Sequence, residues 1–157
     1  MKRETLFLKI ALFLIGTPIA ALCFYGLPLL AMNVSGSSFA NMIYGILAVM
    51  YASAIPFYAA LYQAFKLLTF IDRNNAFSES SVKALKTIKT CAIVIGSFYT
   101  VGMPLFYMLA EADDAPGVIV IGMIFIFGSV VIAVFAAVLQ KLLNNAIEIK
   151  SENDLTV

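Results

Sequence analysis

Four apolar stretches, each close to or beyond the thickness of bilayer hydrocarbon, constrain this chain more than any other feature. They run over about residues 6–32, 42–68, 91–109 and 118–143. A helix rises ~1.5 Å per residue, so about 20 apolar residues cross ~30 Å of hydrocarbon. No stretch has an ionisable residue at its middle. Lys9, Lys66 and Lys141 sit near ends, where their stems let the ammonium reach the headgroups. Of 157 residues, 62% are apolar and 12% charged, against about half and a quarter in soluble domains. A soluble chain of this size has too little interior to hide the excess. The expected fold is all-α: a polytopic membrane protein, a four-transmembrane-helix bundle in a single domain over 1–157.

Lys2 and Arg3 ahead of an apolar run imitate a secretory signal. The run is longer than a signal's apolar core, and Ala20-Ala21-Leu22-Cys23 is a poor lipoprotein cleavage box. The first stretch is therefore read as a retained helix.

The basic residues set an orientation. All ten lie at the start of helix one (Lys2, Arg3, Lys9), between helices two and three (Lys66, Arg73, Lys83, Lys86, Lys89) or at the end of helix four and after it (Lys141, Lys150). The connections 33–41 and 110–117 carry none, and the second holds Glu111, Asp113 and Asp114. The positive-inside rule then predicts a multi-pass protein of the cell membrane with both termini and the central connection in the cytoplasm. The net charge of +1 offers no broad basic surface, so no direct nucleic-acid binding is expected.

Chemistry is scarce. There is no histidine, which removes His-ligated metals and His-based acid–base catalysis. Cys23 and Cys91 fall at opposite depths, beyond disulfide reach, and read as small packing residues. Mid-membrane polar atoms belong to Tyr, Ser and Thr with no acid–base partner. No cofactor, metal site or enzymatic activity is expected.

Pro18 and Pro56 lie deep in helices one and two. Each frees a backbone carbonyl that needs a partner inside a membrane, and Thr17 and Ser53 stand beside them as candidates. Tyr44, Tyr51, Tyr58 and Phe65 recur every seven residues on one stripe of helix two, and Tyr99 and Tyr107 add hydroxyls on helix three. Two readings follow. The tyrosines hydrogen-bond between helices, or Pro18, Tyr51, Pro56, Tyr58 and Tyr99 shape an intramembrane pocket for binding or carrying an apolar or lipid-like molecule. Small residues four apart, such as Gly16 and Ala20, Ala48 and Ala52, or Ser129 and Ala133, suit close helix packing or a homo-oligomer. Gly26-Leu27-Pro28-Leu29 and Gly102-Met103-Pro104-Leu105 mark a parallel duplication of two helical hairpins, echoed by Gly45 and Gly122.

The polar sequence is concentrated at two places. In the central connection Asp72 to Asn75 is turn-forming, Ser78 is a helix N-cap, and Val82, Leu85 and Ile88 alternate with Lys83, Lys86 and Lys89. Residues 78–89 read as a short amphipathic helix leading into helix three, either anchored on anionic headgroups or serving as a docking surface. The tail, 144–157, continues helix four for about two turns and ends in Glu152, Asp154, Leu155 and Val157, a frayed end or an acidic docking motif with apolar anchors.

The segment Asn75 to Ile88 (Asn-Ala-Phe-Ser-Glu-x-x-Val-Lys-x-Leu-Lys-x-Ile) and the ending Ile149 to Val157 resemble the bacterial domain-of-unknown-function family 2975, over nearly the whole chain. Ala76 stands where that family's segment has proline, which implies a looser turn. Members of the family are often encoded beside a small Cro-type helix-turn-helix regulator. The resemblance thus implies a membrane partner of a cytosolic helix-turn-helix regulator, held through the connection and the tail. Arg73, Phe77, Ser78, Lys83, Lys86, Glu152, Asp154 and Leu155 are the candidate docking residues.

Overall fold

A computed structural model describes residues 2–33, 36, 40–74, 76–112 and 114–155. Asn75, Asp113 and Val157 of the motifs above lie outside them. Four helices follow in order. The first, α1, runs as Lys2–Ala21, one π-helical turn Leu22–Gly26, and Leu27–Asn33. Then come α2, Ala40–Asp72; α3, Glu79–Ala112; and α4, Gly117–Leu155. All four are long and apolar enough to cross a membrane.

The turns use residues that tolerate left-handed backbone. Gly36, Asn74 and Asp114 have φ of 88°, 57° and 51°, a region open to Gly and, among other residues, most readily to Asn and Asp. The Arg73 and Asn74 amides close the end of α2 on the Thr69 and Ile71 carbonyls. Ser78 caps α3 through the Ser81 amide at 3.4 Å, as its type and position predict.

α3 is the central helix, packing on α2 on one side and α4 on the other, while α1 packs mainly on α2. A core of Ile46, Tyr99 and Phe106 fills the half nearer the two short connections, with the Tyr99 ring stacked on Phe125 at 4.9 Å. A side-chain carbon on Gly102 would lie 3.1 Å from Val49, so its absence lets α2 and α3 approach. α1 is peripheral: Thr5 and Leu27 are its buried residues among those described.

The amphipathic stretch 78–89 leads directly into the third span: from Glu79 it is the first part of α3. No Gly or Pro separates Ile88 from Cys91, so nothing breaks the helix. Its apolar side, with Ser81, Ala84 and Leu85 buried, faces protein. The tail does not fray within the described residues and stays helical to Leu155. The paired Gly-x-Pro motifs also differ in setting. Gly26 closes the π turn, whereas Gly102 and Pro104 lie inside unbroken α3.

Candidate functional site

The tyrosine stripe is a row of cross-links from α2 to α1. Tyr44, Tyr51 and Tyr58 donate to the carbonyls of Ala31, Cys23 and Gly16 at 3.2, 2.6 and 2.8 Å. Two of these acceptors have a clear reason to need a donor. Ala31 is within the last turn of α1, where carbonyls have no helical partner. In the π turn the Leu27 amide reaches back five residues to the Leu22 carbonyl. That register assigns the Cys23 carbonyl to residue 28, which is proline and has no N–H. The Tyr51 hydroxyl takes its place.

The proline partners anticipated from sequence differ from those found. Thr17 donates to Phe13, and Ser53 to Met50. Neither serves the carbonyl four residues before its proline, Leu14 or Ala52. Short hydroxyl side chains in a helix bond most readily to their own preceding turn, as Thr100 and Ser129 also do.

The candidate pocket residues do not line one pocket. Tyr58 borders a groove between α1 and α2, with Phe13, Gly16 and Phe65. Tyr51, 39% exposed, bridges α2 to α1, Pro18 is exposed, and Pro56 is half-buried. Tyr99 is buried and lines a different space, a cavity of about 390 Å³ bordered by all four helices. Its wall includes Ile19, Cys23, Ser53, Ala64, Ile88 and Ile132. The hydroxyls on that wall are spent on protein. Ser53 gives its proton to Met50, so the 3.0 Å contact with Tyr99 is donated by Tyr99, and Ser129 donates to Phe125.

At the end of the bundle carrying both termini, Asp72 accepts from Thr5 and from the Lys9 ammonium, the latter at 2.9 Å. The sequence reading sent Lys9 to the headgroups. Its ammonium is instead held by Asp72 and lies 5.1 Å from the Phe65 ring centre, so this ion pair ties the start of α1 to the end of α2. The pairing was not legible because the partners are 63 residues apart.

The docking candidates occupy the same end. Arg73, Lys83, Lys86, Glu152 and Asp154 are exposed, Phe77 is 55% and Leu155 84% exposed, and Ser78 is half-buried by its capping role. They are distributed over the α2–α3 turn, the α3 extension and the α4 tip.

The model of the family described as "Protein of unknown function (DUF2975)" matches residues 29–157. The chain belongs to this family. The match covers α2, α3 and α4 with their connections and begins near the end of α1, the helix that packs least on the others. Across the full length the chain is similar to "Uncharacterized membrane protein YoaS" of Bacillus subtilis (strain 168), at 62% identity over 159 residues and 99% of each chain. No solved structure matches. With four candidate spans and this kinship, the DUF2975 member described here is a multi-pass integral membrane protein.

Proposed function

We propose that this is a non-enzymatic interaction protein of the cell membrane. Both termini and the α2–α3 turn lie in the cytoplasm, and the helical extensions at that end dock a small cytosolic helix-turn-helix regulator.

The observation that carries this reading is that α3 and α4 outrun the bilayer. At 34 and 39 residues they are roughly 51 and 58 Å long, against about 30 Å of hydrocarbon. A side-chain carbon on Gly96 would stand 3.3 Å from the Ser129 Cβ, which sets the register of the two antiparallel helices. Counting from there, Glu79 is level with about residue 146, and Leu155 projects roughly 13 Å further. The projecting turns carry Glu148, Glu152, Asp154 and Leu155 at exposed positions. A helix continuous with a membrane span presents such side chains at fixed spacing, as a groove-binding partner requires. The cytoplasmic assignment is supported by the ten basic residues gathered at one end. The choice of partner rests on the family resemblance, and an acidic, leucine-tipped helix end suits a small basic domain.

The test is co-purification from host membranes. Tagged full-length protein is compared with a chain ending at Lys150 and with Glu152→Lys/Asp154→Lys. The full chain is expected to recover a small helix-turn-helix protein, and both variants to lose most of it. Equal recovery with the truncated chain removes the tail from the reading. Absence of such a protein from the full-length sample ends it.

A further inference from the structure

The cavity among the four helices is long for its volume. Its lining on α2 extends from Met50 to Ala64, about 21 Å of helix, or two-thirds of the hydrocarbon thickness. The volume of about 390 Å³ falls at the low end for ligand sites. A space this deep and this limited has the shape of a chain, not of a compact ring system.

Its chemistry points the same way. The lining is apolar apart from Cys23, Ser53, Tyr99 and Ser129. The three hydroxyls all donate to protein acceptors, so none is left as a donor to a ligand. Carboxylate, phosphate or ester oxygens of an occupant at this depth would find no hydroxyl to donate to them. Hydrocarbon forfeits nothing.

The cavity is reached from lipid. α1 and α4 form opposite edges, through Ile19 and Leu22 on one side and Phe125, Gly128 and Ile132 on the other, without packing substantially on each other. Leu22, Phe125 and Ile132 at these edges are exposed. At the end nearer the termini the lining stops at Ala64 and Ile88. The lining thus opens to lipid along its length and reaches toward the leaflet on the side of the termini.

We infer that this cavity binds one acyl chain of a membrane phospholipid, inserted between α1 and α4 from the leaflet on the side of the termini. The site is independent of the docking reading: it requires neither a protein partner nor a particular orientation.

The full-length protein is reconstituted in nanodiscs containing phosphatidylglycerol with a diazirine at the end of one acyl chain, irradiated, and mapped by peptide mass spectrometry. Cross-links are expected to concentrate on the deep wall, around Leu27, Ser53 and Tyr99, above those on lipid-facing Phe24 and Val101. Gly128→Leu combined with Ala60→Leu fills the space. A carbon added at Gly128 meets nothing within 4 Å, so the new side chain has room. This variant is expected to lower the deep-wall yield about tenfold relative to the outer surface. Should it fail to fold, Ile132→Trp, which narrows the α4 edge of the opening, provides the second arm, with deep-wall cross-linking falling to the level of the outer surface. Deep-wall yields that follow the outer surface, or that survive filling, overturn the inference. So does a free fatty acid probe that outcompetes the phospholipid.

Discussion

The three α2 tyrosines make chemically similar bonds that differ in what their loss would leave behind. Without Tyr58, the Gly16 carbonyl lies in a regular α-helical stretch and keeps the Ala20 amide. Without Tyr51, the Cys23 carbonyl faces Pro28 and has no backbone donor in its register. Interhelical hydrogen bonds within membranes average only ~0.6 kcal/mol, whereas an acceptor left unsatisfied away from water costs about 1–3 kcal/mol. Tyr51→Phe is therefore expected to destabilise the bundle by about 1–2 kcal/mol and Tyr58→Phe by at most roughly 0.6 kcal/mol. Reversible unfolding of each variant in mixed detergent micelles checks the ranking. Equal losses would show that the π turn does not distinguish the two carbonyls.

At the scale of the helix, that ranking has a complement. Pro28→Ala restores an N–H, so the Cys23 carbonyl no longer depends on Tyr51. Tyr51→Phe should then cost markedly less in the Pro28→Ala background. The double-mutant cycle should give a coupling of about 1 kcal/mol, since both residues act on one carbonyl. Additive losses would separate Tyr51 from the proline. The helices themselves were legible because apolar length is a property of contiguous residues. Ser78 could be read as a cap, and Asp72–Asn75 as a turn, because those signals are local. The seven-residue tyrosine spacing foretold bonds across helices, but not which carbonyls would receive them. The Cys23 carbonyl is chosen by the helical register around Pro28, a residue noticed only as part of a repeat. The cavity was harder still. Tyr99 was the one pocket candidate that lines it, since the space arises from how α1 stands relative to α4 and no short-range pattern encodes that.

For the whole molecule, a single asymmetry organises everything. Each cation, the Lys9–Asp72 tie and the helical extensions lie toward one face of the bundle. The other face has two short turns and the acidic Glu111 and Asp114. Reversing the bundle would require several lysines and arginines to cross hydrocarbon, at about 2.5–3.5 kcal/mol each even on the most lenient scale. A mixed population is therefore not expected, and one labelling experiment reads the orientation. Cys23 and Cys91 are first replaced by alanine. Single cysteines are then placed at Ser80 and Ala112, both exposed and at opposite ends of α3. In intact cells a membrane-impermeant maleimide should label Ala112→Cys, while Ser80→Cys should react only after the cells are opened. The reverse pattern would place the acidic turn inside and withdraw the helical extensions from any cytosolic partner. The acyl-chain site would remain, facing the other leaflet.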